Sequence, residues 1–424
     1  MQRRRTAHDP GGTPHMTHEE RPHEEHGRRH DEPERRVIRI PGIRALMALS
    51  MLGFAGYSAM LSTAPLWAVR GGADEAGAGM VNAVMMAATV AFQTAVPWAL
   101  ARLGWRTTLV IGTVLLGAPS LFLLLTDDLL WILVLSAVRG AGFAVLTVCG
   151  SSATAFLVEP ARRGKAIGLY GLSIALPQLI LVPSSVWIAE HLGFLTVFVL
   201  GAAPIAAAVP GLLLGTRIDR VEAGEAPEAQ TGTEAALASA RPWAGLVVPS
   251  LVLLSITTPG GALLTFAPQF PGLAQASVAG LFLFTLTAAA TRWLVGGLAD
   301  RFGHRVFPAP LSLIGALGLA LCAWAVSAES GAGLIGGMAL TGVAYGSLQN
   351  VTLVEAFAVA GPRHRDAASM VWNIGFDCGT GLGALLVGFI AAGTSFTVGL
   401  GITAVVCLVV ALALAPRLLV RARM

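Results

Sequence analysis

Three charged residues, Arg139, Arg292 and Asp377, lie inside long apolar runs, and they are the side chains best placed to do chemistry there. A charge at the centre of a membrane helix costs about 2.5 to 3.5 kcal/mol on insertion scales, so all three are expected to face protein or a wet cavity. Arg292 stands eight residues before Asp300, about 12 Å along a helix rising about 1.5 Å per residue. Asp377 stands twelve residues after Arg365, about 18 Å in by the same rise and therefore near the midplane. Burial disfavours an ionised carboxylate and a nearby arginine favours it, so a movement that separates the two binds and releases a proton. Asp377 is the expected proton carrier, with Arg292 or Arg139 as its intermittent partner; a permanent structural ion pair is the alternative reading. No spacing of nucleophile, metal ligands or paired carboxylates points to a membrane enzyme. Lys165 does not close the phosphate-cradling glycine loop of an ATP-driven pump.

The elements that must position these charges are membrane helices. The chain has 424 residues, 55% hydrophobic and 12% charged, against about 25% charged in soluble domains. At about 20 apolar residues per span, the sequence beyond its polar start holds roughly twelve helices. Residues 1–42 read as a disordered cytoplasmic tail, 43–214 as a first six-helix bundle, 215–242 as a cytoplasmic linker, 243–416 as a second bundle and 417–424 as a cytoplasmic tail. The tail histidines, His8, His15, His18, His23, His26 and His30, are unevenly spaced without cysteine partners, so a solvated tail is expected rather than a metal site. Cys149, Cys322, Cys378 and Cys407 fall within apolar runs and imply neither disulfide nor zinc. No metal and no cofactor is expected. The net charge of +4 is spread over loops rather than gathered in a stripe, which argues against nucleic acid. Arginines collect in alternate connections, and the positive-inside rule then puts both termini in the cytoplasm of a multi-pass protein in the plasma (inner) membrane.

The two halves repeat. Arg102-Leu-Gly-Trp-Arg106 matches Arg301-Phe-Gly-His-Arg305 at an offset of 303 − 104 = 199, and Arg139-Gly-Ala-Gly-Phe-Ala144 matches Thr341-Gly-Val-Ala-Tyr-Gly346 at 362 − 160 = 202. In Trp293-Leu-Val-Gly-Gly-Leu-Ala-Asp-Arg-Phe-Gly-His-Arg305 an apolar run ends at a carboxylate, turns through glycine and meets basic residues. This stretch resembles the G-x-L-A-D-R-x-G-x-R turn of the major facilitator superfamily. The resemblance implies an all-α membrane protein with twelve transmembrane helices as two six-helix bundles. It also implies a conformational lock built from Gly297, Asp300, Arg301, Gly303 and Arg305. Asp300 would face the N-terminus of the helix after Pro362, a position that attracts a carboxylate; a plain surface charge marking topology is the other reading. Arg301 and Arg305 also suit lipid phosphates. The first half has Ala101 where the turn motif has aspartate.

Arg139-Gly-Ala-Gly-Phe, the Glu159-Pro-Ala-Arg-Arg-Gly-Lys165 connection and Phe376-Asp-Cys-Gly-Thr-Gly-Leu-Gly383 are similar to stretches of bacterial drug:proton antiporters and arabinose-efflux-like exporters. That narrower resemblance implies a monomeric secondary transporter exporting a small organic compound or drug against protons, an antiporter of the multidrug-resistance kind. A proton-coupled importer of a small metabolite, or a non-transporting sensor on the same fold, is the alternative. By the same resemblance the central cavity draws on Tyr57, Thr63, Phe143, Thr147, Phe266, Tyr345, Gln349 and Asn350. These make a mostly apolar pocket with a few hydrogen-bonding groups, suited to an uncharged or weakly charged substrate. Gly375, Gly379 and Gly383 recur on one helix face and let another backbone approach, as a sliding seam or as static packing.

Overall fold

The apolar runs become helices wherever a cap and a breaker frame them. Asp74 accepts the Gly77 amide at 2.8 Å and starts one span; Ser330 accepts from Gly333 and Ser395 from Val398 at the heads of two others. A computed structural model describes residues 40–157, 163–224, 241–361 and 365–416. Among them, twelve helices are long and apolar enough to cross a membrane. They are α1 (Gly42–Arg70), α2 (Glu75–Gln93), α3 (Val96–Leu125), α4 (Leu129–Ala153), α5 (Leu169–His191) and α6 (Phe194–Arg220) in the first half. In the second they are α7 (Gly245–Gln269), α8 (Ala274–Gly296), α9 (His304–Ser327), α10 (Gly331–Ala360), α11 (Ala368–Gly393) and α12 (Phe396–Leu414).

The packing repeats with the sequence. In the first half α4 packs on α2 and α3, α1 on α5, and α3 on α6; in the second, α10 packs on α8 and α9, α7 on α11, and α9 on α12. Each contact has its mate six helices on. Between the halves the main partners are α2 with α11 and α8 with α5, again related by the repeat. The outcome is an all-α membrane fold of two six-helix bundles with a seam between them.

Glycine makes the two turns. Gly104 (φ 75°) and Gly303 (φ 83°) hold left-handed backbone that a side chain would strain; at matching repeat positions the first kinks the helix inside α3 and the second ends the helix that continues α8. Alternation of the spans puts these turns at one face of the bundle, the turn face. The helix of α6 runs on to Gly224, so the first part of the stretch read as linker is helical. That of α8 runs on through Asp300 to Phe302. Residues 1–39, most of the expected linker, the Glu159–Arg162 part of the fourth connection, Pro362 and the final tail lie outside the described residues.

Candidate functional site

Small residues bring α2 and α11 close. A Cβ added to Gly79 would meet the Ala384 carbonyl oxygen, one at Gly388 the Glu75 carbonyl oxygen, and one at Gly381 the Met86 side chain. These glycines form the seam between the halves. Gly375, Gly379 and Gly383 instead face Leu253, Thr257 and Thr258 of α7 within the second half. Two faces of α11 are therefore glycine-lined, and the recurring set packs inside its own bundle.

At the turn-face end of this seam the Gln93 Nε2–H donates to Asp377 Oδ2 at 2.8 Å. Both side chains are buried, Asp377 at 5% exposure and Gln93 at 8%. Asp377 therefore meets a neutral amide here, where the sequence reading paired it with an arginine. Gln93 occupies the repeat position of Arg292, since 292 − 93 = 199. The structure supports that register: Gly140 abuts the Met85 carbonyl and Gly342 the Phe284 carbonyl, and 284 − 85 = 199.

The two arginines differ. Arg139, 2% exposed, spends its guanidinium inside the first half, with Nε toward the Leu116 carbonyl and Nη2 toward that of Gly56, both at 3.4 Å. Arg292 is exposed, on the α8 turn that Asn350 of α10 contacts. Its backbone carbonyl accepts the Asn350 Nδ2–H at 3.0 Å. Among the described residues nothing bonds its guanidinium.

Aromatic side chains fill the space between these charges. Tyr57 stacks on Phe143 with ring centroids 4.3 Å apart and planes 12° apart, and Phe54 meets Phe143 edge-on. In the second half Tyr345, the repeat mate of Phe143, leans on Phe284 at 5.0 Å and on Phe376 at 6.2 Å, and Phe376 stacks on Trp372. Tyr57 lies within electrostatic reach of Asp377, Arg139 and Tyr345, and Tyr345 within reach of Arg292 and Asp377.

The remaining cavity candidates separate by depth. Thr147 turns its hydroxyl back to the Phe143 and Ala144 carbonyls, and Gln349 is buried one helical turn beyond Tyr345. Thr63 bonds the Ala59 carbonyl at 2.6 Å, and Phe266 is fully buried against Phe396. Those two sit at the end of the bundle away from the turns. There Ser62 donates to the Leu264 carbonyl, and Asn82 Nδ2 donates to the Leu61 carbonyl at 2.8 Å and to Thr265 Oγ1 at 2.9 Å. The Ser62–Leu264 and Asn82–Thr265 bonds tie the halves together. The sequence reading missed Asn82 and Gln93, although an amide inside an apolar run is itself a signal.

At the turn face, Gly297 and Asp300 lie in the helix that ends at Phe302. Arg301 stacks over the Phe302 ring at 5.2 Å, Arg305 is exposed, and an open cleft of about 590 Å³ is lined by Arg301, Phe302, Val306, Phe307 and Pro310. In the first-half turn, which lacks the motif carboxylate, Asp219 of α6 accepts the backbone N–H of Trp105 at 2.9 Å and of Arg106 at 3.2 Å. A carboxylate from a different helix caps the segment after Gly104. Among the described residues no cluster of metal-ligating side chains occurs.

The family model described as Major Facilitator Superfamily matches residues 45–374. The chain belongs to the major facilitator superfamily. Among solved structures, a bacterial homologue of the human lysosomal transporter Spinster, inward-facing and unoccupied, superposes with a TM-score of 0.68 at 16% identity, over 92% of this chain and 98% of that one. The peptide transporter POT in complex with alafosfalin gives 0.69 at 16% identity, over 89% and 94%. The nucleoside transporter NupG gives 0.66 at 14%, over 88% and 99%. No curated protein matches the sequence. At these identities the structural likeness carries the fold. Superfamily membership and transporter neighbours point to a multi-pass transporter of a small-molecule substrate rather than to an enzyme.

Proposed function

We propose that this superfamily member is a proton-coupled secondary transporter that exports a small organic compound by alternating access, with Asp377 as the proton carrier. The observation that carries the reading is the Gln93–Asp377 bond at the α2–α11 seam. A carboxylate whose partner is a neutral amide can take up and give up a proton without an ion pair having to break. Because that bond spans the halves, its strength depends on their relative position, which is what coupling requires.

The Ser62–Leu264 and Asn82–Thr265 ties at the far end support a state closed there, which alternating access pairs with opening at the turn face. The arginine-bearing connections favour the cytoplasm for that face, with both termini inside and the protein in the plasma (inner) membrane. Export rather than import rests on the resemblance of the Arg139-Gly-Ala-Gly-Phe and Asp377-containing stretches to drug:proton antiporters.

The test is Asp377→Asn in proteoliposomes carrying a pH-sensitive dye, with a panel of small aromatic compounds. The variant should lose substrate-dependent proton flux while keeping substrate exchange. Wild-type rates of proton-driven accumulation in the variant would overturn the assignment.

A further inference from the structure

We infer that Arg292 receives the carboxylate of an anionic substrate whose apolar body lies against the Tyr345, Phe376 and Trp372 aromatic cluster. The inference rests on the transporter reading and names the substrate class of that cavity. A cation inside an apolar span is kept only where something faces it, and it faces protein or a wet cavity. Arg139 meets backbone carbonyls of its own half. Arg292, which is exposed, meets no acceptor among the described residues.

On α5 the repeat places no carboxylate opposite Arg292. Gln93, the mate of Arg292, faces Asp377 on α11. The corresponding stretch of α5, which packs on α8, runs from Ala175 (377 − 202) to Gln178 (377 − 199) and holds no carboxylate. The position that supplies an acid opposite Gln93 is thus uncharged opposite Arg292. A ligand carboxylate complements the guanidinium in charge, and the planar fork matches it with two parallel hydrogen bonds.

The surroundings fix the rest of the molecule. Asn350 holds the Arg292 backbone from α10. Thr287 and Thr291 bond the Ala339 and Val343 carbonyls, and the glycines at 342 and 346 abut the α8 backbone, so the arginine rises from a rigid helix pair. Beside it Tyr345 leans on Phe284 and Phe376, with Trp372 behind. Such a wall favours a flat apolar body with one anionic end. The sequence alone suggests an uncharged or weakly charged compound because the cavity residues it selects are mostly apolar with a few hydrogen-bonding groups.

The experiment titrates full-length protein in neutral detergent with three probes of one shape, 1-naphthoate, 1-naphthamide and 1-naphthylmethylamine, reading tryptophan fluorescence and thermal unfolding. The acid should bind about tenfold or more tighter than the amide, the scale of one charge-assisted contact. Arg292→Gln should erase that preference and Arg292→Lys keep part of it. Tyr345→Phe, a milder change that leaves Arg292 in place, should weaken the acid a few-fold. Equal binding of acid and amide, absence of binding by all three, or an acid preference that survives in Arg292→Gln would overturn the proposal. So would displacement of naphthoate by phosphatidylglycerol added to the micelles, which would assign the guanidinium to a lipid headgroup. Failure here, with Asp377→Asn still abolishing proton flux, removes the anion site and leaves the transporter standing; loss of the proton effect with acid preference intact does the reverse.

Discussion

Gln93 and Asp377 come from helices in opposite halves and share a buried hydrogen bond of 2.8 Å, so one contact joins a titratable group to the position of the seam. Gln93→Leu removes the donor and leaves a buried carboxylate oxygen unsatisfied. The expected cost is about 1 to 3 kcal/mol of stability, read as a lowered unfolding midpoint in detergent, together with loss of substrate-dependent proton flux. Asp377→Asn keeps an acceptor for the same N–H, so its unfolding midpoint should move less while its flux falls. A Gln93→Leu variant with unchanged midpoint and flux would show that the contact does no work.

The two turns predict different responses. Asp300→Asn should impair transport more than Ala101→Asp, because the motif carboxylate is present only in the second half. Vesicle flux at matched expression checks this, and equal or inverted effects would remove the lock assignment.

Asp219→Ala should loosen the first turn. It strips the acceptor from the Trp105 and Arg106 amides, at a cost of about 0.5 to 2 kcal/mol, the usual range for a lost cap. Amide hydrogen exchange should rise around residues 102–108 and leave the Gly303 turn unchanged.

Gly79→Val should hold the far end of the seam apart, since the Cβ alone collides with the Ala384 backbone. In a variant lacking the four native cysteines, a cysteine at Thr63 should react with a membrane-impermeant maleimide only when Gly79→Val is also present. Equal labelling with and without it would count against a tight seam.

Topology has its own check. A reporter active only outside the cytoplasm, fused at Arg423, should be silent; a strong signal would invert the orientation.

Much of this architecture is legible in the sequence, because hydropathy marks a span and a breaker marks its end. The pairing of α11 with two neighbours is not. Glycines at 375, 379 and 383 and those at 381 and 388 line different faces of one helix, and a period alone does not say which face meets which partner. Asp377 stands out as a charge in an apolar run, whereas its partner Gln93 is neutral and changes hydropathy little. The offset of 199 that pairs the turns also pairs Gln93 with Arg292, and following it back along the helix from Arg102 singles out the amide. Asp219 escapes notice because its segment has the composition of a linker, though it continues as helix to Gly224.

The Asp219 cap also has a bearing on biogenesis. It lies 114 residues after the Trp105 amide it serves, at the end of the last helix of its half. During synthesis the first turn therefore stays uncapped through the insertion of three further helices, and closes only when α6 arrives. A nascent chain whose residue 219 has not left the ribosome displays an unfinished turn, while one with the whole of α6 emerged and inserted can close it. Capture of the first half by a membrane chaperone, or its degradation, has a natural checkpoint at that point in the chain.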